Sequence, residues 1–185
     1  MRDRNLFLML RLPICSCCLI LLLGCSTSEV RKQAIPVGIA SLHAAKVERI
    51  VSGQTLEVSL PNSESPTKVR IIGIDAPDLR QSPWGKAALE RLALLSEQSI
   101  QLESETETPD SFDRLLAHVW HNKSLVSEQL IKEGFVLANT KYPHKYSQRL
   151  LDAQEYARLM GYGIWNPQQP MRQTPHQFRS QPTAK

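Results

Sequence analysis

The chain has 185 residues, with 22 Lys and Arg against 18 Asp and Glu and a formal net charge of +4. Much of the basic excess sits at the ends, in Arg2, Arg4 and Arg11 and in Arg172, Arg179 and Lys185. The stretch between them is near neutral, which excludes a general basic field and leaves any nucleic-acid affinity to a local cluster. The length suits one domain with a proper core and would crowd two.

Residues 1–25 read as a secretory leader. Basic residues precede the apolar run Leu19-Ile20-Leu21-Leu22-Leu23, which is too short to span a bilayer stably and ends in Gly24-Cys25. Leu22-Leu23-Gly24-Cys25 resembles the lipobox of bacterial lipoproteins. That resemblance implies cleavage before Cys25, lipid on its sulfur and new amino group, and a membrane anchor. Ser26 after the cysteine implies the outer membrane, facing the periplasm or the surface. Cys15, Cys17 and Cys18 fall inside the leader, so the processed chain has no disulfide framework and no cysteine-based zinc site.

Residues 26–45 hold few large apolar side chains and read as a linker. The domain is expected over 46–166. Val47, Ile50 and Val51 precede Ser52-Gly53-Gln54, after which Leu56, Val58 and Leu60 alternate: two strands about a glycine turn. A third strand is expected over 68–75 and a helix from Trp84 to about Ser96. Strands follow at 99–105 and 115–120, a helix over 124–133 stopped by Gly134, and a helix over 147–160 with Leu150, Leu151, Ala153, Ala157 and Met160 inward. Residues 167–185 are rich in Gln and Pro without periodicity and are expected to be disordered. The order β-β-β-α-β-β-α-α predicts an α+β domain. It fits an OB-fold, a five-stranded antiparallel barrel with about three packed helices, and a monomer.

The organising stretch is Val69-Arg70-Ile71-Ile72-Gly73-Ile74-Asp75-Ala76-Pro77-Asp78. Its β-branched residues suit a buried strand, and Pro77, lacking an N–H, ends the pairing, so the strand stops at Asp75. A twist or bulge near Gly73 would bring Arg70, Asp75 and Asp78 into one cleft able to bind a metal and a phosphate. The plainer alternative is an ordinary turn whose Asp residues bond their own backbone.

Four landmarks carry a resemblance to the staphylococcal nuclease, or thermonuclease-like, family. They are Val69 to Asp78, Asp110-Ser111-Phe112-Asp113-Arg114-Leu115-Leu116-Ala117, Leu130 to Phe135, and Ala157-Arg158 with Gly163-Ile164-Trp165. The resemblance implies an OB-fold and, in active members, calcium-dependent cleavage of DNA and RNA. It makes Arg70 and Arg114 the paired phosphate-binding arginines, Asp75 a metal ligand and Asp78 the carboxylate that orients or deprotonates water. The chemistry needs such groups because the pentavalent transition state gathers charge on its equatorial oxygens, where cations must already stand. For Arg114 a turn arginine paired with Asp110 or Asp113 is the simpler alternative.

Departures from the family pattern are equally informative. The Asp-Gly-Asp-Thr of the family hairpin is Ser52-Gly53-Gln54-Thr55 here, so both carboxylates are missing and Gln54 offers the calcium a neutral oxygen. Asp78 is one methylene shorter than the family glutamate, and Ala76 stands where a threonine is common, though the resemblance still lets the backbone carbonyl at that position serve the metal. Two readings follow: a weakened or altered phosphodiesterase acting on DNA or RNA, or a non-catalytic module binding nucleic acid or an envelope protein. Lys141 and Tyr142, in a loop with Lys145 and Tyr146, are candidates for lining a nucleotide pocket. His118 and His121 flank a strand end with no third ligand in sight.

Overall fold

The computed structural model describes residues 42–61, 63–106 and 108–181. The expected leader, Cys25 and the expected linker up to residue 41 lie outside them.

The elements run β1 (Leu42–Ser52), β2 (Thr55–Ser59), β3 (Thr67–Ile71), β4 (Ile74–Asp75), α1 (Trp84–Leu95), β5 (Ser99–Ser104) and β6 (Leu115–His121). They continue with β7 (Ser124–Leu125), α2 (Val126–Lys132), β8 (Leu137–Ala138), α3 (Ser147–Met160), a 3₁₀ turn at Gly163–Trp165 and α4 (Pro175–Arg179). The sheet order β3-β2-β1-β5-β6 returns on itself through a β3–β6 pairing, which closes a five-stranded barrel. The closing pair is parallel, with Val69 opposite Leu115, Arg70 opposite Leu116 and Ile71 opposite Ala117; the other barrel pairs are antiparallel. A ring of five strands cannot alternate direction all the way round, so the expected OB-fold barrel contains one parallel seam.

Alternate positions of the strands fill the barrel: Leu56 and Val58, Val69 and Ile71, Ile100 and Leu102, Ala117 and Val119 are all buried. Helix α1 covers the barrel with Gly85, Ala88, Leu92 and Leu95, a 3.6-residue stripe. Helix α3 buries Leu150, Ala153 and Ala157. Met160, expected inward, lies in the last turn of α3 past that stripe and is half exposed.

Three local expectations change. Strand β1 starts at Leu42, inside the stretch expected as linker, because Leu42 to Lys46 pair with Glu103 to Ser99 of β5 before the strand bends onto β2. The exposed, weakly apolar start of β1 gave no alternation to read. The third strand breaks at Ile72-Gly73, and Ile74 and Asp75 leave the barrel to pair with Ala138 and Leu137. Gly73 has φ +80°, and a Cβ there would stand 2.5 Å from His144 Nε2 and 2.6 Å from Leu150 Cδ1. The tail is ordered through residue 181, against the expectation of disorder. Met171 N–H donates to Ile164 O (2.9 Å), and Thr174 and Gln177 form a reciprocal capping box around Pro175.

A buried polar network ties the 141–146 loop to the barrel. The nearly buried Glu103 carboxylate accepts from Trp120 Nε1 (2.9 Å), Lys145 Nζ (2.6 Å) and Tyr146 Oη (2.8 Å). Burial pushes its pKa up, but the bonds from Lys145, Tyr146 and Trp120 outweigh it and leave the group below its ordinary value. His118, fully buried, bonds through Nε2 to Glu105 Oε1 (2.8 Å), which also accepts from Lys145 N–H (3.0 Å). Burial lowers the pKa of both His118 and His144, with Glu105 acting in the opposite sense.

Two outcomes follow from this packing. Gly73→Ala meets both the positive φ and the His144 ring, and should lower unfolding stability by ~1 kcal/mol or more in denaturant titration. Both histidines bind protons less readily folded than unfolded, so the unfolded chain gains protons first as pH falls below about 6.5. Stability is therefore full above that value and declines as pH falls toward the lowered folded pKa values. Thermal melts between pH 8 and pH 5, a range of roughly the histidine titration, should show that decline, and His118→Gln should flatten it.

Candidate anion-binding site at the barrel seam

Arg70 lies at the centre of the parallel seam. The break at Gly73 turns Ile74 back toward it, and the guanidinium donates from Nη1 to Ile71 O and from Nη2 to Ile74 O (2.6 Å for the second). Burial lowers its pKa to about 10, helped by the charge of Arg114, while Asp75 and Asp110 oppose. It is still a cation at neutral pH. Its fork is anchored on backbone rather than on a carboxylate, so its charge is not cancelled by a direct ion pair.

Arg114 immediately precedes Leu115, the seam partner of Val69. Its turn is organised by Asp110, whose Oδ1 accepts from Phe112 N–H (2.9 Å) and Arg114 N–H (3.1 Å). Oδ2 accepts from Arg114 Nε (2.8 Å) and Nη2 (2.6 Å). Burial pushes the Asp110 carboxyl up, but the bonds from Arg114 and the turn backbone hold it below the usual range. The pairing with Asp110 is thus real, and the Arg114 charge is still felt at Arg70. The exposed Phe112 ring lies 5.0 Å from the Arg114 guanidinium carbon.

The carboxylates after the seam are also held. Asp78 forms a two-pronged pair with Arg80, from Nε to Oδ1 (2.8 Å) and from Nη2 to Oδ2 (3.1 Å), and accepts the Arg80 N–H as well. Those bonds bring its pKa down to about 2. Asp75 Oδ1 accepts from Arg179 Nη2 at 2.5 Å, and Ala76 O from Arg179 Nη1 at 3.3 Å. Gln54 Oε1 accepts from Ala76 N–H (2.8 Å). Gln54 reaches that loop because Gly53 lets the hairpin turn close onto it: a Cβ at Gly53 would stand 2.6 Å from Ala88 Cβ and 3.0 Å from Ala76 Cβ.

Gln54, Arg70, Asp75, Asp78 and Arg114 therefore cluster around the seam and the loop after β4. Lys141 and Tyr142 stand in an exposed loop after β8, with the Lys141 ammonium 5.2 Å from the Tyr142 ring. That loop's own anchors, Lys145 and Tyr146, are committed to Glu103. His118 does acquire neighbours that sequence spacing hid: Glu105 and His144 bring one ligand atom each within 4.8 Å of its own. There Glu105 acts as a hydrogen-bond acceptor that straps the loop to the barrel.

Sequence reasoning missed Arg80, Gln81 and Arg179. Gln81 Oε1 accepts from Asp78 N–H (3.0 Å) and its Nε2 donates to Gln173 O (3.0 Å), stapling the tail over the site loop. The signal for an ordered tail was present: Thr174-Pro175-His176-Gln177 is a capping box with proline at the first helical position.

A closed five-stranded barrel with two arginines at its parallel seam beside a carboxylate loop defines an OB-fold protein. Residues 68–167 match the family described as Staphylococcal nuclease homologue, and the chain belongs to it. It is 32% identical to a thermonuclease of Staphylococcus hyicus over 128 residues, covering 65% of this chain and 75% of that protein. It is 31% identical to a thermonuclease of Staphylococcus intermedius over 126 residues, covering 64% and 74%. An uncharacterized endonuclease of Haemophilus influenzae is 30% identical over 139 residues, covering 75% and 74%. The α+β fold and the family expected from sequence both stand.

The depressed Asp78 pKa gives a direct test of the local pairing. Its contribution to stability is present above the ordinary aspartate value near 4 and is lost as pH falls toward about 2. In Arg80→Ala the Asp78 carboxyl, followed by NMR titration, should move back up toward the ordinary value.

Proposed function

We propose that this chain is a nucleic-acid phosphodiesterase of low activity, held at the cell envelope by lipid on Cys25, in which Arg70 and Arg114 receive the phosphodiester. The observation that carries the reading is the parallel seam, which brings Arg70 in β3 close to Arg114, the residue before β6. Guanidinium forks match pairs of phosphate oxygens and stabilise the charge that gathers there as the phosphorus becomes pentavalent. The thermonucleases and endonuclease among its relatives support the same chemistry. The Gly24-Cys25 leader supports the anchor, with the outer membrane as the expected address.

Asp78 is the carboxylate available to take a proton from an attacking water. Two features limit it in that role: its side chain is short in reach, and its pairing with Arg80 brings its pKa to about 2 and makes it a weak base. Active members of the family depend on calcium. The donors here do not suit that ion. Among Gln54, Asp75 and Ala76 there is a single carboxylate, its Oδ1 is held by Arg179, Ala76 O accepts from the same arginine, and Gln54 Oε1 is spent on Ala76 N–H. The metal site is eroded, and the reaction is slow for want of both a strong base and a strong electrophile. The second reading, a binding module without turnover, is favoured by the same Arg80 clamp on Asp78.

The test uses the full chain in mild detergent with single-stranded DNA and RNA, beside Arg114→Ala. Slow cleavage that falls ~10²-fold in the variant is the expected result. Oligonucleotide bound but never cut above the variant's level would remove the enzyme and leave the binding module.

A further inference from the structure

Arg179 reaches the site from the far end of the chain. Three contacts fix the segment that carries it: Gln81 with Gln173 O, the buried Pro175 and the Phe178 ring 5.2 Å from Arg80. Its guanidinium then takes Asp75 Oδ1 and Ala76 O together. These are the carboxylate and backbone oxygen that the family resemblance assigns to calcium, and the third position, Gln54, has no charge to offer. A permanent monovalent cation thus stands where a divalent one is expected.

The placement has an electrostatic consequence for the rest of the site. Arg70 senses Arg114 and Arg179 together, and both oppose its charge. Asp75 and Asp110 each accept from one of these neighbouring arginines, while Arg70 rests on carbonyl groups. The local sum over Arg70, Arg114, Arg179, Asp75 and Asp110 is one net positive charge, matching the single negative charge of a phosphodiester. Each guanidinium has five N–H groups, and the bonds to Asp75 and Ala76 O use two of those on Arg179. The remaining three have no partner among the described residues and can meet a ligand while Asp75 stays bound.

We propose that Arg179 is the resident cation of this site: it replaces calcium on Asp75 and, with Arg70 and Arg114, forms a three-arginine cradle that binds a nucleic-acid phosphodiester without a divalent ion. The cradle rests on the phosphodiester-binding reading above. The exchange of arginine for calcium is independent of it.

The experiment takes the full chain in detergent, as wild type, Arg179→Ala, Arg179→Lys and Arg114→Ala. Binding of a fluorescein-labelled single-stranded oligonucleotide is measured by anisotropy in EDTA and in calcium over a range of salt. A parallel calorimetric titration uses calcium alone. The wild type should bind equally in both buffers and take up no calcium. Arg179→Ala should bind ~10-fold more weakly in EDTA, lose about 0.7 from the slope of log affinity against log salt, and recover on adding calcium. Calcium alone should then bind this variant, because Asp75 and Ala76 O are released. Arg179→Lys, which keeps the charge, should hold most of the affinity, while Arg114→Ala should be weak in both buffers.

Calcium uptake by the wild type, or oligonucleotide binding that requires calcium, overturns the proposal. So does an Arg179→Ala variant that binds as well as or better than wild type in EDTA, since the arginine would then be a bystander or a plug. If the wild type binds no oligonucleotide in either buffer, the phosphodiester reading fails and the cradle with it. Calcium uptake confined to Arg179→Ala would then still establish the exchange.

Discussion

Closure of a five-membered ring of strands is the constraint on which the rest depends. Because five is odd, one neighbouring pair must run parallel, and here it is β3 with β6. That seam joins the end of the first meander to the strand after the Asp110 turn, parts of the chain more than 40 residues apart by the numbering of its partners. Arg70 sits in it and Arg114 at its edge, so the geometry of barrel closure is also the geometry of the proposed anion site. The buried alternation Val69, Ile71, Ala117 and Val119 holds the seam by apolar burial. The arginines contribute position and charge rather than cohesion.

Around the seam, nearly every charge is answered within a few ångströms. Asp110 is paired with Arg114, Asp78 with Arg80 and Asp75 with Arg179. Pairs that remain partly open to solvent add little stability, but they decide which groups retain chemistry. A carboxylate gripped by a guanidinium is a poor base and a poor metal ligand, whereas Arg70 is held by carbonyls and has no direct ion pair among the described residues. On the proposed reading, the site is better arranged to hold a phosphodiester than to attack one, and slow turnover is what its own pairing allows.

The 141–146 loop is fixed by different means. Glu103 and Glu105 reach out from the barrel to Trp120, Lys145, Tyr146 and His118, and the rings of His118 and Tyr146 meet edge to face at 4.7 Å. Loss of these bonds would leave buried polar groups without partners, a cost larger than the net gain of making them. Loop residues that sequence composition suggests for nucleotide contact are thus divided: Lys145 and Tyr146 serve the fold, and Lys141 and Tyr142 remain at the surface.

Much of this was legible in the chain. Alternating Leu56 and Val58, the β-branched run at 69–74 and the stripe on α1 determined the barrel class, because burial periodicity is a local property. The motifs at 69–78 and 110–117 carried the family resemblance that named Arg70, Asp75, Asp78 and Arg114 as candidates, because each lies within one short segment. Gly73 was legible as the place where the strand would turn. Tertiary structure alone decided what each charged group faces. The pairing of Asp110 with Arg114 was one of the alternatives the turn offered, but Arg80 gave no sign of its grip on Asp78, and Arg179 lies 104 residues from Asp75. An ion pair leaves no periodic trace in sequence, because it needs only two side chains brought within a few ångströms by the folding of everything between them.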